Sequence, residues 1–129
     1  MTRPFKLTAP RVLESDRQRQ IIDWLRFQQN SGKVVWFCRV NGGGVKTDRR
    51  FIRFYSLYMP MKDQASRGYP DIHGMLPGGR YFALEVKRPG ERATAEQSEF
   101  IAAVQAGGGI AGVVYSYEDA RKLLEATNG

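Results

Sequence analysis

Residues 68–88 read GYPDIHGMLPGGRYFALEVKR, and the division of this stretch into strand, turn and strand decides the fold. In YFALEVKR, strand alternation puts Phe82, Leu84 and Val86 on one face and Glu85 with Lys87 on the other. The apolar set anchors the strand in a core and presents an acid and a base side by side. Residues 70–76, PDIHGML, are expected to form the partner strand, with Ile72 inward and Asp71 opposite it, and LPGGR the tight turn between them. Such a hairpin brings Asp71, Glu85 and Lys87 to one end. Two carboxylates suit a hard divalent cation, and an ammonium two positions along the strand can orient an attacking water or steady developing charge. Together they are the minimum set for metal-dependent phosphodiester cleavage. The competing expectation is a solvated, amphipathic edge strand, where mixed charges are ordinary. The strongly apolar remainder of the strand favours a site.

The pattern G-x-x-D, hairpin, E-x-K, then a helix opened by T-x-x-Q resembles the VRR-NUC domain, the virus-type replication and repair branch of the PD-(D/E)xK nuclease superfamily. Upstream, ESDRQRQIIDWL at 14–25 is similar to the family's first helix with its leading acid, and FCRVNGG at 37–43 to its first strand and turn. Downstream, GERATAEQSEFIAAVQAGGGIAGVVYSYEDARKLL at 90–124 resembles its Gln-bearing helix, last strand and closing helix. The resemblance covers most of residues 12–125 and departs at Lys46 to Ser66. It implies an α/β fold with a restriction-endonuclease-like core, a mixed β-sheet flanked by helices in the order αβββαβα. It further implies that Asp71, Glu85, the Val86 backbone carbonyl and Glu14 hold Mg²⁺ or Mn²⁺, that Lys87 helps activate water, and that Gln97 positions water or the phosphate. Stand-alone viral members of the family suggest a structure-selective endonuclease for branched DNA such as four-way (Holliday) junctions, and two symmetric cuts would favour a homodimer. A less selective endonuclease or nickase with the same site and a non-catalytic nucleic-acid-binding protein are the alternatives.

The chain has 129 residues, which suits a single domain spanning 1–129, and one cysteine, which permits no internal disulfide and fits a reducing cytoplasm. Cys38 sits in the apolar run VVWFC and is expected to be a buried structural thiol. No apolar run approaches membrane-spanning length, and the start lacks a signal-peptide core. The formal charge of +7 is uneven: residues 1–53 carry +8 and residues 54–129 carry −1. A basic first part suits phosphate contacts, expected from Arg39, Lys46, Arg49, Arg50 and Arg53, with Arg88 beside the acids. In KTDRRFIRFY at 46–55 the alternating aromatics are expected to be core rather than base-stacking platforms.

Among the elements, a first helix is expected over Val12 to Gln29, with Glu14, Gln18, Ile21 and Leu25 on one stripe. An acid on a buried stripe is costly unless a metal or the helix dipole answers it, and Ser15 with Gln18 also fits a capping box. VVWFCRV at 34–40 is expected to be a strand, and FIRFYSLY at 51–58 a further strand of the sheet. The glycine-rich GGGVKT lacks the G-K-T of a phosphate-binding loop, which argues against a nucleotide cofactor. On the helix from Thr94 to Ala106, Gln97 shares a stripe with Phe100, Ile101 and Val104, and Thr94 with Gln97 fits a capping box that competes with a site role. His73, the only histidine, alternates onto the Asp71 face; hard cations prefer oxygen, so an incidental place beside the metal is expected.

Overall fold

The computed structural model describes residues 14–40, 44–46, 48, 51–53 and 68–126. Their order is α1 (Glu14–Asn30), β1 (Trp36–Arg39), β2 (Gly44–Lys46), β3 (Phe51–Arg53), β4 (Ile72–Leu76), β5 (Arg80–Val86), α2 (Ala95–Ala106), β6 (Ile110–Val114) and α3 (Tyr117–Glu125). Four strands form one sheet in the order β1-β4-β5-β6, while β2 and β3 pair only with each other. The β1–β4 and β4–β5 pairs are antiparallel and β5–β6 is parallel. That mixture follows from the connections: a short turn joins β4 to β5, whereas α2 supplies the crossover that a parallel neighbour requires. With the β2–β3 hairpin set aside, the elements follow the expected order αβββαβα.

The β4–β5 hairpin closes through Gly78 and Gly79, whose φ angles of 89° and 83° lie where a side chain is strained. Its register opposes Ile72 to Leu84 and Gly74 to Phe82. Opposed residues share a face, so these residues, with Leu76 and Val86, form one apolar surface. Ile21 and Leu25 of α1, Ile110 and Val114 of β6, and Ala120 and Leu124 of α3 complete that core. The α1 stripe is as expected at Gln18, Ile21 and Leu25, all buried. The other sheet face is covered over β5 and β6 by α2.

Several expectations are corrected. β5 is interior, flanked by β4 and β6, and buried continuously from Phe82 to Val86, so the solvated edge-strand alternative does not hold. Ser15 lies inside α1 rather than at its N-cap, while the expected start at Val12 and Leu13 lies outside the described residues. Strand 34–40 contracts to Trp36–Arg39. Of the proposed strand 51–58, Phe51–Arg53 pairs with β2 instead of extending the main sheet, and 54–58 lie outside the described residues. Cys38 is exposed, not buried, because β1 is an edge strand and α2 packs over the strands at the far side of the sheet. An apolar run implies two-sided cover only for an interior strand.

Gly74 marks where β4 is packed most tightly. A Cβ there would lie 2.3 Å from the Trp36 carbonyl oxygen and 2.8 Å from Phe82 Cε1. Gly74→Ala is expected to lower stability by about 1–3 kcal/mol, the range for overpacking, in denaturant or thermal unfolding. A change below about 0.5 kcal/mol, the scale of an ordinary surface substitution, would contradict this close approach of β1 and Phe82.

Candidate functional site

Asp71 stands immediately before β4, where the chain enters the sheet. Its main chain is tied to the end of β1, since Val40 N–H donates to the Asp71 carbonyl at 2.8 Å. Its side chain reaches across the hairpin, and Val86 N–H donates to Asp71 Oδ2 at 2.9 Å. A strand residue aims its N–H and C=O toward the same neighbour, so the Val86 carbonyl also faces the Asp71 side. Glu85, one residue earlier on β5, is turned to the opposite sheet face from the core and is only 4% exposed.

Burying a carboxylate is costly unless its oxygens are met by donors. Gln97 supplies one: its Nε2 donates to Glu85 Oε1 at 2.8 Å. The same amide caps α2. Thr94 N–H donates to Gln97 Oε1 at 2.9 Å, and Gln97 N–H donates to Thr94 Oγ1 at 3.1 Å. The helix cap and the contact with Glu85 are thus not alternatives. They use the acceptor and donor ends of one side chain, and the opposite amide orientation would lose both bonds.

Gly68 lets the chain before Asp71 pack against the start of α2. A Cβ at this position would fall 2.2 Å from the Glu96 carbonyl oxygen and 2.9 Å from Gln97 N, so GYPD lies directly against the first turn of α2. The sequence pattern marks this glycine, but the reason for it is a packing contact between segments nearly thirty positions apart. Tyr115, unlike Gly68, carries no sequence signal. Its hydroxyl donates to the Glu91 carbonyl at 3.0 Å, its N–H donates to Asp119 Oδ2 at 2.9 Å, and its carbonyl accepts from Arg17 Nη1 at 2.7 Å. One residue therefore ties the loop after β5 to β6, α3 and the first turns of α1.

The remaining candidates divide. Lys87 follows β5, is half-buried, and its N–H donates to the Val114 carbonyl at 3.0 Å. Arg88 pairs with Glu91, and the hydrogen bond from Arg88 holds the Glu91 carboxyl below the usual range. Arg39 is exposed at the end of β1, opposite Ile72 and hence on that residue's sheet face, one position before the Val40 main-chain bond to Asp71. Glu14 is the first residue of α1, one turn before buried Gln18; its side chain lies outside the described residues. The side chains of Lys46 on β2 and Arg53 on β3 also lie outside them, as do Arg49 and Arg50 altogether. Asp71, Glu85, Val86 and Gln97 are thus brought together at the end of β5, with Lys87, Arg88 and Arg39 at its margin.

No family model, curated protein or solved structure matches the chain. Among the described residues, no three His, Cys, Asp or Glu side chains gather closely enough to hold a metal ion, and no helix is long and apolar enough to cross a membrane. Two carboxylates and a strand-end carbonyl are nonetheless an all-oxygen set of the kind Mg²⁺ uses, since that ion binds through one or two carboxylates and retains water. A cleft of about 320 Å³ lined in part by Trp24, Leu76 and Leu124 lies at the opposite end of β4 from Asp71 and shares no residue with this set.

His73 is engaged elsewhere. Its Nε2 is 2.9 Å from Cys38 Sγ and 3.4 Å from the Tyr69 hydroxyl, and its Nδ1 is 3.0 Å from the Tyr81 hydroxyl. Burial lowers the His73 pKa from 6.5 and raises those of Cys38 and Tyr81.

Two outcomes follow from these contacts. Gln97→Ala removes half of the cap and leaves Glu85 short of a donor, and is expected to lower stability by about 1–2 kcal/mol in chemical denaturation. For His73, the folded pKa lies below the unfolded one, so the unfolded chain binds the proton first. Its contribution to stability is full above the ordinary value of 6.5 and is lost as pH falls through the folded pKa. His73→Gln should flatten that acid limb when unfolding midpoints are measured against pH.

Proposed function

We propose that the protein is a metal-dependent deoxyribonuclease of the VRR-NUC type, with a restriction-endonuclease-like core, acting on branched DNA such as four-way junctions. The observation that carries this proposal is the buried Glu85 carboxylate, held by the Gln97 amide one residue before the strand position whose N–H is bonded to Asp71. Asp71, Glu85 and the Val86 carbonyl are the groups that would hold Mg²⁺ or Mn²⁺, with Glu14 as a further acid by resemblance. A bound cation of this type polarises a phosphate and lowers the pKa of a coordinated water.

The chain's own groups do the rest. Asp71 and Glu85 offer oxygen on both sides of the β5 terminus. Gln97 fixes the direction of one Glu85 oxygen, so the carboxylate needs little rearrangement when ligands arrive. Lys87, just beyond Glu85, helps position the attacking water and offsets negative charge that builds on the phosphate. Arg39 and Arg88 stand where flanking phosphates would pass, and the basic first part of the chain supplies the sequence-independent attraction. A small domain has little surface for reading a long sequence, which fits recognition of DNA shape, with a homodimer matching the two-fold character of a junction. The cell compartment proposed is the cytoplasm, with no membrane partner and no nucleotide cofactor.

That no three His, Cys, Asp or Glu side chains gather as metal ligands among the described residues favours a second reading, a nucleic-acid-binding protein without catalysis. The test is cleavage of a labelled immobile four-way junction beside linear duplex, nicked duplex, single strand and a flap, with Mg²⁺, Mn²⁺ or EDTA. Paired cuts on the junction, lost with EDTA, are expected. Lys87→Ala should reduce cleavage by about 10²-fold or more while leaving junction binding unchanged, and wild-type turnover in this variant would remove Lys87 from the mechanism. Cutting of every substrate would indicate a less selective endonuclease or nickase; binding without cutting would leave the non-catalytic protein.

A further inference from the structure

The sheet face that bears Glu85 continues past the acid set to the β1 edge. The register sets Trp36 opposite Met75, and Met75 opposite Tyr81. Opposed residues share a face, and alternation along β5 carries that face from Tyr81 to Glu85. α2 packs on β5 and β6, whereas β1 lies at the other edge of the sheet. A group of rings occupies the ground between. Trp36 and Tyr69 both stand edge-on to His73, with centroids 5.6 Å and 5.5 Å away and interplanar angles of 88° and 75°. Tyr69 in turn is 6.0 Å from Phe100 of α2. Tyr69 thus walls the group on the helix side, and Trp36, 39% exposed, forms its open rim.

We propose that this aromatic shelf stacks one unpaired nucleobase of the DNA strand whose phosphate lies at Asp71 and Glu85, an inference that rests on the nuclease reading of that site. Three observations select a nucleobase as the occupant. The first is continuity: Asp71 and Met75, the neighbour of Trp36, are four positions apart along one chain segment. That separation is about 13 Å at the rise of a strand, which about four stacked nucleotides span at 3.4 Å each and fewer extended ones do. The second is charge. β1 belongs to residues 1–53, which carry +8, and Trp36, Tyr69 and His73 place no acid on the shelf. A polyanion is drawn to such a surface and an acidic cluster does not repel it there. The third is the chemistry of the rim, an exposed indole on an edge strand, and every base has a flat π face that such a ring can cover.

The shelf narrows the substrate. A base inside a duplex is covered on both faces by its neighbours, so only an unpaired one can lie on Trp36. The DNA selected is a branch with an unpaired nucleotide close to the scissile phosphate, whatever that nucleotide's identity, because stacking is tolerant of sequence. His73 and Tyr69 act only as rings that brace the indole, and no proton moves.

The experiment is an anisotropy titration of labelled flap duplexes with the full chain, Ca²⁺ replacing Mg²⁺, in which an abasic residue takes each unpaired position near the branch in turn. At one position the abasic residue is expected to weaken wild-type binding about tenfold, within the range for losing one base–aromatic stack. Trp36→Ala should weaken binding of the intact strand by a similar factor and show no further loss with the abasic one, while Trp36→Phe keeps most of the affinity. The slope of log affinity against log salt, which counts phosphate contacts, should be the same in Trp36→Ala as in wild type. If Trp36→Ala does not fold, the wild-type scan carries the test together with the Trp24→Phe chain. Trp36 is then the lone indole, and its emission should be quenched by the intact strand and not by the abasic one. A flat wild-type scan, or an abasic loss that persists in full in Trp36→Ala, would overturn the shelf and leave the nuclease reading in place. Absence of any DNA binding would remove both.

Discussion

A carboxylate removed from water costs several kcal/mol unless donors meet it, and Glu85 sits on an interior strand with α2 across its face. The Gln97 amide answers that demand with one bond, and its other end closes the first turn of α2. Helix start and buried acid are therefore joined through a single side chain. Displacing α2 would strip a donor from Glu85; losing Glu85 would remove the helix's link to the sheet at this point. Much of the organisation at this end of the molecule depends on that shared amide.

The neighbouring contacts serve the same placement. Gly68 lets the chain preceding Asp71 lie against the backbone of α2, where any side chain would collide. Asp71 then reaches Val86 N–H, beyond the last paired residue of β4, and covers a strand-end group that has no ladder partner on that side. Tyr115 joins the loop after β5 to β6, α3 and α1. Polar groups gather where the β5 and β6 strands end, the region in which open α/β sheets place their ligands. At the other end of the hairpin the requirement is purely conformational, two glycines in a left-handed turn.

The two edges of the sheet differ in consequence. α2 and α3 both pack on β6, while β1 has no helix on the α2 side among the described residues. Cys38 is left open to solvent there while its imidazole neighbour, one strand further in, is half-buried and ringed by aromatics. His73 and Asp71 are two positions apart in sequence, yet they serve different clusters, because one meets β1 and the other the end of β5.

Alternation and turn chemistry made the β4–β5 hairpin, the inward set Ile72, Phe82, Leu84 and Val86, and the buried stripe of α1 legible from the residues alone, since these depend on local periods and on glycine. The pairing of Thr94 with Gln97 was legible for the same reason: its partners are three residues apart. Which strand lies inside the sheet was not, and neither the concealment of Glu85 nor the exposure of Cys38 follows from a local pattern. Those are properties of strand order, and strand order is set by long-range packing of helices on the two faces. The sequence by itself determined the β4–β5 hairpin, the inward faces of its strands and the buried stripe of α1, but neither β2 nor its separate pairing with β3. Only the tertiary structure decided that one amide would satisfy both a helix end and a buried acid, because that bond spans two elements whose approach is fixed by Gly68 and by the sheet between them.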